Sequence, residues 1–575
     1  MLGLFTKKVG HRDFSKETFE LNFELPPYRQ QESKLPDVTK LWQQLDAMAS
    51  EPVHLLVELN HFLHELNRTY IGGEKRYSFT ARCLRYAYPA IRHIFFEHQK
   101  GKPLPESQPK REALTAAVKS VQELSNSYKR IIKNEYKTGS RTIKSPARRV
   151  RQSMVMAIQM THAEQRLQAL RYQKLPPLFW RDCNSIFFIL QATGNIRKPI
   201  KPMALYVSRS LPGESMAKSL KTNVEALYVL IQLFGLIDPN SLSLQQAMIV
   251  DNYLKQFLPH LHFNALREDK LPVKCLMTGF AHEGPPVLQE GSEVGAHTLV
   301  MNIKSLASHV KKDYQHLYAQ LDGSQSSSDL RNDEHKAITT GVVHRMEDIE
   351  RLLATYAILK KLRDTERSDT RKYTDQAQDV YVYNGFTAGF RMLNARKIVA
   401  NTSNTLQNQL TINLAQRSAS IADDAQADKL TQWEIINESA SGMLLRTKET
   451  RHINNLFIGQ LIVYAKSKAM LNYPSCGWVV RICRNSNSNV EVSLKFLASQ
   501  IESVVVQTEI LRKNAMGMPG MMIFDAGEEL QLLMHQSHRL VPGNNVIVQR
   551  SGKTYDYGIG DIECVQREFI VYRLQ

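Results

Sequence analysis

The feature that most limits what this chain can become is a change of hydrophobic period part-way along it. From Lys34 to about His260, apolar residues recur at helical spacing. Leu55, Leu56, Leu59, Phe62, Leu63 and Leu66 follow an i, i+3, i+4, i+7 rule after Pro52, and Val121, Leu124, Tyr128, Ile131 and Ile132 repeat it. Segments around Ser153–Tyr172, Asn184–Ala192 and Asn223–Ile237 continue the pattern, which predicts an all-helical domain of roughly six to ten helices over residues 1–260. Towards the C-terminus the period falls to two: Val490, Val492, Leu494 and Phe496 alternate with Glu491, Ser493 and Lys495, the mark of a half-buried strand. Gly459–Tyr464 and Gly477–Ile482 are likewise short, rich in β-branched or aromatic residues, and bounded by turn formers. The fold class expected is therefore multidomain α+β, a large all-helical region followed by a small antiparallel barrel and a C-terminal β-rich extension or second barrel. Residues 261–365 form a mixed connecting region, with strands at Val273–Thr278 and Thr298–Ile303 and helices at Ser305–Leu321 and about Lys336–Arg363. Residues 366–500 read as one small antiparallel β-barrel, and residues 501–575 as a β-rich module that forms a second barrel or extends the first.

Two short motifs frame the first barrel. Arg367-Ser368-Asp369-Thr370-Arg371 writes R-x-x-x-R, and Asn437-Glu438-Ser439-Ala440-Ser441-Gly442 writes N-x-S-x-x-G, running directly into the strand series. In this order and setting they resemble the PilZ domain, the bacterial receptor module for cyclic di-GMP, over residues 366–500, about a quarter of the chain. The resemblance implies a ligand with two phosphates and two guanines. Arginine suits both, because its guanidinium binds phosphate through paired donors and stacks on a purine face. Arg367 and Arg371 would reach around the ligand from an arm preceding the barrel; Arg363 and Arg367 form an overlapping R-x-x-x-R pair, so two registers are open. Asn437 and Ser439, two apart on a strand, would offer donors and acceptors to a guanine edge. Gly442 would either let backbone and ligand approach closely or take a positive φ at the turn. Residues between the motifs depart from the compact family spacing. Asp379–Tyr383 reads as the first strand, Phe386–Arg396 as a short helix, about 398–429 as a polar insert, and Trp433–Ile436 as the strand that restarts the barrel.

The resemblance further implies a non-enzymatic receptor whose ligand alters packing against the helical domain, with that domain presenting a surface to a protein partner. Its outputs would be motility, pili, biofilm formation or exopolysaccharide. The alternative is a ligand-independent scaffold built on a degenerate barrel.

Net charge of +18 and a pI near 9.4 favour acidic partners. The interleaved basic and aromatic cluster of a nucleic-acid binder is missing, which ranks nucleic acid last. Cys83, Cys183, Cys275, Cys476, Cys483 and Cys564 are scattered without a Cys-x-x-Cys, as suits a reducing compartment without disulfides or zinc. Met1–Lys8 lacks the order of a secretory signal, and no apolar run reaches membrane-spanning length, so a cytoplasmic protein with no integral membrane segment is expected. No cofactor, metal site or catalytic group is expected either. Glu-Ala-Leu occurs at Glu112–Leu114 and Glu225–Leu227, but in helical pattern without companion carboxylates. Ser551-Gly552-Lys553-Thr554 imitates the tail of a phosphate loop, yet Ile547 stands where that loop needs glycine, and a hairpin turn is expected instead.

Overall fold

The computed structural model describes residues 21–29, 37–99, 104, 106–136, 145–200, 222–265, 274–288, 298–322, 337–363, 372–400, 430–448, 453, 456–485, 489–508, 517–524 and 530–575. The first eight residues, weighed above for a leader, therefore lie outside the description.

Eight α-helices make the N-terminal region among the described residues: α1 (Val38–Ala47), α2 (Pro52–Arg68), α3 (Gly73–His98), α4 (Gln108–Glu135), α5 (Arg148–Ala169), α6 (Phe179–Ala192), α7 (Val224–Ile237) and α8 (Leu244–Phe257). Local chemistry sets several boundaries. Asp37 accepts the Thr39 N–H at 2.9 Å at the start of α1, Pro52 opens α2, and Ser243 and Gln246 close a reciprocal capping box on α8. Leu55, Leu56, Leu59, Phe62, Leu63 and Leu66, the stripe read from sequence, are all buried, and α2 lays them against α3 and α4. Several polar side chains inside this bundle pair with one another: Ser120 with Asn60 at 2.7 Å, Asn67 with Glu123 at 2.8 Å, Thr80 with Ser127 at 2.8 Å. Both Glu-Ala-Leu copies lie in helices, α4 and α7.

Two two-residue strands, β1 (Pro199–Ile200) and β2 (Thr222–Asn223), pair before α7. After α8 come β3 (Phe263–Ala265), β4 (Cys275–Gly279), β5 (Val287–Leu288) and β6 (Thr298–Asn302), an antiparallel sheet in the order β3-β6-β4-β5. The helices α9 (Lys304–Asp322) and α10 (Ala337–Lys361) follow and pack together, and α10 also lies on α8.

The rest is two closed six-stranded antiparallel barrels. The first contains β7 (Lys372–Asn384), β8 (Thr431–Glu438), β9 (Gly442–Lys448), β10 (Leu461–Ala465), β11 (Ser475–Arg484) and β12 (Asn489–Ala498), with α11 (Phe386–Ala400) between β7 and β8. Its order around the barrel is β10-β11-β12-β9-β8-β7, closed by pairing of β7 with β10. The second contains β13 (Gln500–Thr508), β14 (Met518–Phe524), β15 (Leu530–His535), β16 (Asn545–Arg550), β17 (Lys553–Val565) and β18 (Phe569–Leu574), closed by β13 against β16. Closure removes the exposed strand edges of an open sheet. The C-terminal module is thus a second barrel rather than an extension of the first. Ser551 (φ 48°) and Gly552 (φ 78°) make the β16–β17 hairpin turn that replaces the imitated phosphate loop.

Two expectations shift. The first barrel strand begins at Lys372, not Asp379, because the Lys372–Gln378 stretch is held by backbone pairing to β8 across a bulge and carries little apolar alternation to betray it. The helix after it runs to Ala400, since nothing in Lys397-Ile398-Val399-Ala400 breaks it; residues 401–429 of the expected insert lie outside the described residues.

Among the described residues, the three largest apolar cores account for most of the packing. The interior of the first barrel, including Val380, Trp433, Leu445, Ile462 and Val492, is continuous with the helical core, and the second barrel has its own. Between the barrels lies a third, in which Phe386, Phe390 and Leu393 of α11 pack against the outward residues Leu461, Val463 and Trp478 on one side and Met521, Leu533 and Val571 on the other. The helical domain is joined to the first barrel by polar contacts at the far end of β11. Arg484 donates its amide to the Tyr172 carbonyl at 2.7 Å, and Arg481 Nε lies 2.7 Å from Asp238 Oδ2. Beside them the buried Glu106 carboxylate pairs with the Arg484 guanidinium, with Arg171 at 3.4 Å and with Arg111 at 3.7 Å.

Candidate ligand-binding site

Strand register decides which loops share a barrel end. Gly442 of β9 stands opposite Lys495 of β12, Lys495 opposite Trp478 of β11, and Tyr464 of β10 opposite Ser475 of β11. On the other side of the motif strand, Glu438 of β8 pairs with Lys372 and Asn437 with Tyr373. The β8–β9 turn carrying Ser439, Ala440 and Ser441, the β10–β11 connection over 466–474, and the start of β7 therefore occupy one end. The α11 entry, the β11–β12 hairpin and the contacts to the helical domain occupy the other.

Arg367 and Arg371 lie outside the described residues. What the structure gives is their bracket: Arg363 is exposed just past the end of α10, and Lys372, the residue after Arg371, is paired with Glu438 of the second motif. The second motif forms the β8–β9 hairpin turn. Ser439 donates its N–H to the Gly442 carbonyl at 2.8 Å and its hydroxyl to the same oxygen at 3.2 Å, so its side chain closes its own turn. Asn437 follows Trp433 and Ile435 in the inward alternation of β8 and is 5% exposed, whereas Ser439 is half-buried and Ser441 exposed.

Gly442 does not take a positive φ. A Cβ there would lie 2.3 Å from the Leu494 carbonyl oxygen, so the glycine is required by the close approach of β12. That local demand is sufficient without a ligand.

Sequence reasoning missed the third component of this end, the connection Lys466-Ser467-Lys468-Ala469-Met470-Leu471-Asn472-Tyr473-Pro474. Lys466 Nζ lies 2.5 Å from Glu438 Oε1, tying this connection to the motif strand. Lys468 is exposed, with Nζ 5.9 Å from the Tyr381 ring centroid, and exposed Lys495 projects beside Trp478, its Nζ 5.1 Å from that ring. The end is therefore rich in cations, with Glu438 already neutralised by Lys466. Such a surface attracts anions.

The last described element before β7 is α10. On α10, the buried Glu350 accepts from Ser243 Oγ of the α8 cap at 3.2 Å and pairs with Arg567 of the second barrel at 3.2 Å. Burial pushes its carboxyl above the usual range, and Arg567 pulls it back. α10 is thus tied both to the α8 cap and to the second barrel.

Among the described residues, no group of three or more His, Cys, Asp or Glu is placed to hold a metal ion, and no helix is long and apolar enough to cross a membrane. His64 lies 3.1 Å from Glu123 in the helical bundle, and His61 lies one turn away on α2. No curated protein and no solved structure matches the chain. Residues 39–268, from α1 through β3, match the family model described as cyclic-di-GMP receptor FimW, N-terminal domain.

Proposed function

We propose that this chain is a non-enzymatic receptor for cyclic di-GMP, bound at the motif end of the first barrel. The observation that carries the reading is the pairing of Lys372 with Glu438 and Tyr373 with Asn437, which brings the chain leaving Arg371 alongside the Asn-x-Ser strand. Two motifs separated in sequence then serve one end of one barrel. The family match supports the same ligand from a different stretch of chain, the helical domain. Arg367 with Arg371, or Arg363 with Arg367, would clamp the phosphates and stack on a guanine; Ser439 and, after a rotamer change, Asn437 would serve a guanine edge. Ordering of the arm would act on α10, and through Glu350 on both the helical domain and the second barrel. The helical domain would present the surface for a protein partner. By its resemblance to the PilZ domain, the barrel would serve motility, pili, biofilm or exopolysaccharide output in the cytoplasm of a bacterium.

The scaffold reading draws on two observations: Ser439 is satisfied within its own turn, and Gly442 is explained by β12. Calorimetric titration of the full chain with cyclic di-GMP, with GTP as control, separates the two. Binding of cyclic di-GMP alone, abolished by Arg367→Ala/Arg371→Ala, is the expected result. Absence of heat and of competition at high ligand concentration would leave a scaffold.

A further inference from the structure

The β10–β11 connection is built unlike a passive loop. Residues Ala469–Asn472 form a 3-10 helical turn, in which the Leu471 N–H donates to the Lys468 carbonyl at 3.2 Å and the Tyr473 N–H to the Met470 carbonyl at 3.0 Å. Residues three apart in such a turn lie above one another. Met470 and Tyr473 therefore fall on one side of it, and they are among the most exposed large apolar residues described, at 53% and 75%. The Lys466–Glu438 pair fixes this turn against the motif strand, and Lys468 stands at its start. An aromatic ring, a thioether and the exposed Lys468 ammonium thus project from the same barrel end as the Asn-x-Ser turn.

A cyclic dinucleotide has more faces than the arginine arm and the Asn-x-Ser turn can cover. A further wall at this barrel end that takes its remaining surface needs a ring to stack on a base, an apolar contact for a sugar and a cation for a phosphate. We propose that the 466–474 connection is this second wall, with Tyr473 stacking on a guanine of bound cyclic di-GMP, Met470 packing beside it and Lys468 facing a phosphate. This rests on the receptor reading above.

The test is the dissociation constant of the full-length chain for cyclic di-GMP, measured for the parent, Tyr473→Ala, Tyr473→Trp and Lys468→Gln, with Arg367→Ala/Arg371→Ala as the null control. Loss of one base-stacking platform weakens binding by about 5- to 100-fold, so Tyr473→Ala is expected in that range and Tyr473→Trp within about twofold of the parent. Lys468→Gln is expected to weaken binding and flatten its dependence on salt. Tyr473 is three-quarters exposed, so its replacement should leave the melting transition in place; Lys468→Gln provides an independent check on the same wall. If Tyr473→Ala and Lys468→Gln both bind within about twofold of the parent while the double arginine variant does not bind, the wall is refuted and the receptor stands. If the parent itself fails to bind, both fall.

Discussion

Replacing Glu106 by glutamine should loosen the helical domain from the first barrel, and should cost more than removing the arginine it pairs with. The Glu106 side chain is 1% exposed and meets the guanidinium groups of Arg484 and Arg171, themselves 4% and 8% exposed, together with that of the partly exposed Arg111. The Lys110 ammonium lies in the same field; burial lowers its pKa and Glu106 holds it up. At an effective dielectric near 20, unit charges about 4 Å apart interact by about 4 kcal/mol. Deleting this carboxylate leaves buried like charges facing one another, and the cost expected after relaxation is about 3–5 kcal/mol. Arg484→Met removes one cation and leaves Glu106 still bracketed by Arg171 and Arg111, so about 1–2 kcal/mol is expected. Urea unfolding of both variants gives the two numbers. Hydrogen exchange of the Arg484 amide, which donates to Tyr172, reads the junction itself and should accelerate more in Glu106→Gln. Equal costs, or an Arg484 amide as protected as in the parent, would refute the assignment of Glu106 as the hub.

Two further predictions follow from local geometry. Gly442→Ala places a methyl 2.3 Å from the Leu494 carbonyl oxygen and should destabilise the β9–β12 pairing by about 2 kcal/mol or more, seen as a lower melting temperature in the absence of any ligand; an unshifted melt would count against the steric account. His535 is held near pKa 4 by burial and by His538, and its Nδ1 accepts the Ser537 N–H at 3.2 Å. The folded chain thus stays neutral there while the unfolded chain takes a proton below about 6.5, so stability is intact above that pH and is lost as pH falls towards 4, by up to about 3 kcal/mol. His535→Gln should flatten this acid slope in denaturant titrations, and parallel slopes would dismiss it.

The elements legible in sequence are those whose signal is local. Helical stripes such as Leu55–Leu66 and the alternation of Val490–Phe496 name their own period and buried face, and both lie as read. Features made by long-range pairing were silent. Closure of the second barrel depends on β13 meeting β16, and the Glu106–Arg484 pair spans 378 residues, so neither leaves a local pattern. The segment Lys466–Pro474 reads as an ordinary polar connection until strand register brings it to the motif end. Gly442 shows the converse: the motif points to a ligand or a turn, while the neighbour that crowds it, Leu494, comes from a strand much later in the chain. α11 has no single apolar stripe to read because it is covered from two sides.

The arrangement of β10 bears on how portable the first barrel is. All five of its residues are buried: Ile462 and Tyr464 face the barrel interior, Leu461 and Val463 face α11 and the second barrel. A chain cut at residue 499 would keep α11 and every strand of the first barrel yet lose Met521, Leu533, Phe569 and Val571, leaving the faces of α11 and Trp478 that they pack against as a contiguous adhesive surface. The barrel cannot be passed between proteins as a self-sufficient cassette. Its second barrel has to travel with it, and fragments that omit residues 500–575 should aggregate before they report on any ligand.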